Sequence, residues 1–389
     1  MKKFLSLALA LLMAAVLLPT IALAAGNTVK VKVVGGAEYE SLEAAIAAAE
    51  PVNGVITYEI TGKATVDSTG WVQVAKAGLT GPITKVEFVG KSGDAEICIT
   101  GGEAILADQT YADHTYDIDV SFTNLKLSKL NPTYAGDYGH STKYFTCWLR
   151  NTNAAENTVT YSNCTFPNGV CNNQYGKTIF DNCNFTNNAS GLYNLWNYGG
   201  NTEIKNSTFT GTRGVKLYSE GPSGGTVDID NAKFDGLTEK AAVIASKPVE
   251  ITITKVTVED CNKGFITRDI TGNDELTLNV NGSDISGTFN VTDATSAEAA
   301  KTELKITEGT FTGNTDSVKD YLPEGKTINS NGAVVDKTIT IIVPGDTTPD
   351  TPKTDDQKNP STGANDVVAA AVALMAVAAL GMSILSRKK

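Results

Sequence analysis

Two short stretches of this 389-residue chain carry residue types that could do chemistry. Arg213-Gly214-Val215-Lys216 sets two cations three residues apart, and a tuned Lys or Arg can serve as a base beside an acidic substrate. On a strand, positions i and i+3 point to opposite faces, so the pair does not converge unaided. Asp113-His114-Thr115-Tyr116-Asp117-Ile118-Asp119 puts Asp113, Asp117 and Asp119 on one face of a strand. Paired carboxylates are what a glycosidase requires. Clustered carboxylate oxygens also suit Ca2+, the one cofactor these residues suggest. The ordinary meaning of such a run is a solvated face. His114 and His140 stand too far apart to argue a metal or a triad, and no C-x-x-C occurs among six cysteines, so zinc is not indicated. A third set points to contact rather than catalysis. Trp148, Tyr193, Trp196 and Tyr198 fall in or beside stretches that break the chain's main repeat, and such rings offer large faces with a polar edge.

The elements that must position these residues are written in an eight-residue pattern, apolar-x-apolar-x-Asn-small-x-Phe. Clear copies are VTYSNCTF (Val159 to Phe166), TIFDNCNF (Thr178 to Phe185), TEIKNSTF (Thr202 to Phe209) and VDIDNAKF (Val227 to Phe234). Looser copies begin at Val120, Ile251, Leu278 and Leu304. The fifth position is Asn124, Asn163, Asn182, Asn206 and Asn231, then Lys255, Gly282 and Glu308. Alternation before the Asn is the period of a half-buried strand. After the Asn the parity slips by one, which a straight strand cannot do. A corner in the left-handed backbone region can, and Asn and Gly suit it. Lys255 and Glu308 suit it less. Two strands meeting at an Asn corner, repeated about every 24 residues, describe one rung of a parallel β-helix. A sandwich or a propeller fits the spacing less well. Equivalent residues should then stack, Phe on Phe and Asn on Asn as an amide ladder. Cys164 and Cys183 share one inward slot and should be buried core thiols, although a disulfide is open to an exported chain.

Val29 to Val34 reads as a strand, and Leu42, Ala45, Ile46 and Ala49 form one apolar helical stripe. This helix should cap the first rung. ITYEITG, VEFVG and EICITGG look like strands ending at Gly corners. The 39 residues from Asn124 to Asn163 hold one rung with an excursion, or two irregular rungs. Tyr321 and Leu322 are placed to plug the far end.

The chain's ends read as addresses. Lys2 and Lys3, an apolar run and the small-x-small site Ala22-Leu23-Ala24 describe a signal peptide, residues 1–24, cleaved before Ala25. Residues 25–343 form the β-helix domain, and residues 344–358, rich in Pro, Thr and Asp, form a disordered spacer. Residues 359–389 begin with Asn359-Pro360-Ser361-Thr362-Gly363, continue through the apolar run Val367 to Leu385, and close on Arg387, Lys388 and Lys389. This resembles the cell-wall sorting signal of Gram-positive surface proteins. The resemblance implies that a sortase attacks the Thr362 carbonyl and joins Thr362 to peptidoglycan. Until then, the transmembrane segment holds the precursor with its basic end inside. Signal peptidase and sortase are the maturation partners it implies.

The net charge of −11 argues against nucleic acid or anionic membrane as a partner. The rung pattern from Val29 to Val343 resembles the pectin-lyase-like superfamily of right-handed parallel β-helices. Members that cleave acidic polysaccharides would here point to Arg213 and Lys216 beside a Ca2+-bound uronate, but fold does not choose the activity. None of that superfamily's lyase or glycosidase signatures stands in the sequence. The reading is therefore an all-β solenoid displayed on a Gram-positive wall. It would bind a glycan or a host surface protein as an adhesin. A wall-anchored lyase or hydrolase is the first alternative, and a structural wall protein without a ligand the second.

Overall fold

The structure is a computed structural model. It describes residues 29–338 apart from 68–71, 77–78, 101–105, 108–117, 131–143, 149–156, 173–175, 198–199, 218–224, 240–242, 246–248, 260–265, 269–275, 286–301, 313–314 and 320. The compact unit ends at Lys337. The segments read as signal peptide, spacer and sorting signal lie outside the described residues, so Ala22, Ala24, Ala25 and Asn359 to Gly363 receive no structural account. Among the described residues, no helix is long and apolar enough to cross a membrane.

Three sheets of twelve, ten and eight strands run the length of the stack. From Val55–Thr61 onward their strands pair in parallel with the equivalent strand of the next rung. Val159 and Tyr161 face inward before the corner, and Cys164 and Phe166 after it. Every corner from Asn124 to Asn231 has φ between 51° and 57°. Lys255 adopts the same angle at φ 51°, so this corner keeps its shape despite a side chain poorly suited to it. Glu308 does not, and the turn there passes to Gly309 at φ 130°.

The inward residues stack as ladders. Tyr58, Phe88, Phe122, Tyr161 and Phe180 form one column, with successive centroids 5.1, 4.9, 5.1 and 4.8 Å apart. Phe166, Phe185, Phe209 and Phe234 form a second at 4.9, 4.3 and 4.6 Å. All nine rings are fully buried. The slot after the corner takes small or aliphatic groups, among them Leu125, Cys164, Cys183, Ser207 and Ala232. The five described cysteines are buried, and none of Cys98, Cys164, Cys171 and Cys183 is in a disulfide. Outside, Asn163 Nδ2 donates to Asn124 Oδ1 (3.0 Å), Asn182 to Asn163 (2.7 Å) and Asn231 to Asn206 (2.8 Å). The amide ladder breaks once, where Asn206 Nδ2 donates to Asp181 Oδ1 instead.

The ends are closed by different means. Helix Leu42–Ala48 starts on Ser41, whose Oγ accepts from Ala44 N, and buries Leu42, Ala45 and Ile46 in the core. At the other end Val318 is buried, and Tyr321, Leu322, Ile328 and Val334 pack against the core. Of the two readings of the long interval after Asn124, the single rung holds, because Asp119–Thr123 pairs directly with Thr158–Ser162. One expectation changes. The corner after VEFVG is not at its glycine. Gly90 lies within the strand, where a Cβ would come within 2.0 Å of Asn124 O, and the chain turns through residues 91–95 instead.

Candidate functional site

The third sheet departs from the repeat. Phe145, Val170, Leu195 and Val215 form its inward row. The next inward row contains two buried amides. Asn172 Nδ2 donates to Asn197 Oδ1 (2.6 Å), while the hydroxyls of Thr178 and Thr202 donate to Asn172 Oδ1 (2.9 Å) and Asn197 Oδ1 (3.1 Å). These partners satisfy polar groups that burial would otherwise make costly.

The outward row runs Cys171, Trp196, Lys216. Here the structure brings together residues picked from the sequence for separate reasons. Tyr193 pairs with Arg213, whose guanidinium carbon lies 5.2 Å from the tyrosine centroid. Trp196 pairs with Lys216, whose Nζ sits 4.3 Å above the indole centroid. Tyr144 packs edge-on to Trp196 at 6.2 Å, and its hydroxyl accepts from Tyr193 N at 3.0 Å. With Cys171 and Leu192 these rings form an apolar cluster separate from the main core. Tyr193 is 5% exposed and Trp196 8%. Both therefore support the surface rather than offer open ring faces. Trp148 lies in strand Phe145–Trp148, but its side chain and the whole of Tyr198 lie outside what is described.

One exposed turn rises from this cluster, and buried polar groups hold it. Asn187 donates its N–H to Asn194 Oδ1 (2.8 Å) and its amide to Tyr193 O (3.1 Å), and accepts from Ala189 N (2.9 Å). Asn194, fully buried, donates to Thr210 O and Arg213 O. Thr212 Oγ1 donates to Ala189 O at 2.9 Å. Arg213 Nη1 donates to Gly191 O (2.7 Å), and its Nε pairs with Glu239 Oε2 (2.9 Å). Glu239 also accepts from Gly191 N at 3.0 Å. Burial pushes the Glu239 carboxyl up, but hydrogen bonds from Ser190, Gly191 and Arg213 outweigh it and hold the group below its ordinary value. Gly211 is required, since its φ is 110° and a Cβ would meet Asn187 O at 2.0 Å. Asn188 and Ser190 remain exposed at the tip.

Arg213, the candidate base offered by the sequence, has its guanidinium engaged by Glu239, Gly191 and the Tyr193 face, and these contacts hold the turn. Lys216 Nζ lies over the Trp196 ring. Burial, which hides the cluster's rings, also pushes the Cys171 thiol well above its ordinary value and disfavours the reactive thiolate. Of the acidic run, Asp113, His114 and Asp117 lie outside the described residues. Asp119 Oδ1 accepts from Thr158 N at 2.8 Å, bridging two rungs. Among the described residues no group of three His, Cys, Asp or Glu side chains is placed to hold a metal. Sequence reasoning missed Asn187, Asn194 and Glu239. Two asparagines seven residues apart within one aromatic-rich inter-rung stretch were the available signal. Comparison with protein-family models, curated proteins and solved structures returns no match to this chain.

Proposed function

We propose that this chain is a wall-anchored surface protein of a Gram-positive bacterium whose stack, a right-handed parallel β-helix similar to the pectin-lyase-like superfamily, displays a binding face. Its ligand is a glycan or a surface protein of another cell. The observation that carries this reading is the turn at residues 187–192. Buried Asn187 and Asn194, with Thr212, Arg213 and Glu239, fix a short exposed segment that would otherwise be flexible. Fixing a contact segment beforehand lowers the entropy lost on binding. Asn188, Ser190 and the Lys216 ammonium then supply polar contacts over a base of buried Tyr193 and Trp196. The stack adds stiffness and reach, since twelve strands about 4.8 Å apart span roughly 50 Å. The Pro/Thr/Asp spacer and the Asn359 to Gly363 motif support the address.

Two measurements test it. Expression of the full chain in a Gram-positive host, followed by wall digestion and mass spectrometry, should yield a polypeptide ending at Thr362 and linked to a wall peptide. Recovery of the intact chain to Lys389 from the membrane would overturn the address. Arg213→Met should weaken capture of the ligand found by array screening of glycans and surface proteins. Unchanged capture would remove the turn from the binding face.

A further inference from the structure

The widened corner at residues 91–95 borders a cleft separate from the turn at residues 187–192. Elsewhere along this edge a single left-handed residue turns the chain, as Gly62 does in the rung before and Asn124 in the rung after. In between, residues 91–95 rise as a lip: Ala95 N bonds Ser92 O, and Ser92 Oγ accepts from Gly62 N at 3.1 Å. The lip and the start of the asparagine ladder enclose a cleft of about 500 Å³, lined by Ser92, Asp94, Glu96, Asn124, Lys126 and Thr165 among others. That volume lies within the range of small-ligand sites.

The ladder gives the cleft a direction. In the amide-to-amide bonds, Nδ2 of one rung donates to Oδ1 of the rung before it. Asn124 is the first asparagine: its Oδ1 accepts from Asn163, and among the described residues its Nδ2, the donor end of the ladder, has no ladder partner. The rung before it turns through the lip that carries Ser92 and Asp94. Amides linked in series polarise one another, which strengthens this terminal donor. Beside it, Lys126 Nζ pairs with Glu96 Oε2 at 3.1 Å, and Lys63 Nζ reaches Glu96 Oε1 at 3.4 Å. Glu96 is 7% exposed, so its charge is fixed and matched by the two lysines. The walls hold donors and acceptors beside apolar surface of similar extent, and no excess of positive charge in an acidic chain. Such a mixed lining suits the polar edges and apolar faces of a sugar ring, and the charge balance disfavours an anion.

We propose that this cleft binds an uncharged saccharide, with a hydroxyl or acetamido oxygen accepting from Asn124 Nδ2 and neighbouring hydroxyls meeting Lys126 and Thr165. The test is calorimetric titration of the full chain, in mild detergent, with triacetylchitotriose and cellotriose, neutral trisaccharides with and without acetamido groups. Binding by at least one is expected. Asn124→Asp keeps an oxygen for Asn163 Nδ2 and tolerates the left-handed corner but loses the donor, so affinity should fall about tenfold. Thr165→Val removes one hydroxyl without changing strand preference and should cause a smaller loss. It keeps the test open if the first variant fails to fold. Trigalacturonate, the anionic comparison, should bind more weakly. Absence of binding by both neutral sugars, unchanged affinity in both variants, or tighter binding of trigalacturonate would each overturn the proposal.

Discussion

The two sides of this stack solve the same problem differently. Along the twelve- and ten-stranded sheets, each rung repeats the one before, and like residues lie on like: Phe185 sits between Phe166 at 4.9 Å and Phe209 at 4.3 Å. Along the eight-stranded sheet the rungs differ in length, and contacts join residues far apart in the chain, such as Tyr144 with Tyr193 and Gly191 with Glu239. The regular side converts repetition into stability. The irregular side spends buried polar groups on one exposed turn. Repetition is therefore where the scaffold lies, and departure from it is where to look for function.

The sharpest way to break this contrast is to cut a ladder. Phe185→Ala should cost about 3–5 kcal/mol in guanidinium unfolding, because neither neighbouring ring can close the gap. Trp196→Ala, in the satellite cluster, should cost less and leave the transition cooperative. Equal losses would mean that the cluster belongs to the main core. Next comes Gly211→Ala, expected to destabilise by about 3 kcal/mol and to loosen residues 187–192 in hydrogen exchange. Protection that survives there would show that the turn does not depend on the close approach of Asn187 O.

The corners give a smaller, two-way test. Asn163→Ala loses two ladder bonds and forces a Cβ-bearing residue without a polar tip into φ 55°, for about 2 kcal/mol. Lys255→Asn should gain about 1 kcal/mol at the same angle. A loss on making that substitution would show that the lysine side chain contributes something the corner geometry does not.

Acid should weaken the fold by a defined route. Hydrogen bonds and charge from Lys177 and Lys205 hold Glu203 below its ordinary value. At Glu96, burial acts upward, but Ser128 and Lys126 prevail. Groups with depressed folded values stabilise above the unfolded carboxylate pKa of about 4.3, and lose that stabilisation as pH falls through the folded value. Unfolding midpoints should thus drop below about pH 4 and level off above it. Asp228 runs the other way: burial, then Glu203, raises it. Asp228→Asn should give a small gain at neutral pH that disappears in acid.

The legible parts of the molecule share a physical cause. Few residues tolerate a left-handed corner, so the positions of Asn124 to Asn231 betrayed one corner of each rung. Stacked inward slots admit a narrow range of sizes, so Phe166 to Phe234 and the Cys164 and Cys183 slot stood out by type. The stripe on Leu42–Ala48 was equally direct. Other features lacked such a signature. The lip at residues 91–95 was hidden because Gly90 attracted the corner that its neighbours make. Asn172 and Asn197 are of a type that mostly stays exposed, yet each other's amides and two threonine hydroxyls satisfy them inside. Tyr193 and Trp196 were correctly placed near one another, but their burial depends on Tyr144, 49 positions before Tyr193. No local pattern encodes that contact.

The most direct test of the account is to incubate the full chain with every glycan that it captures on an array and to assay for new reducing ends and unsaturated products. The account predicts capture without release, with capture weakened by Trp196→Ala as the turn loses its base. Release of fragments would contradict it and make the stack an enzyme. Capture of neither glycan nor surface protein would contradict it as well, and leave a wall scaffold without a ligand.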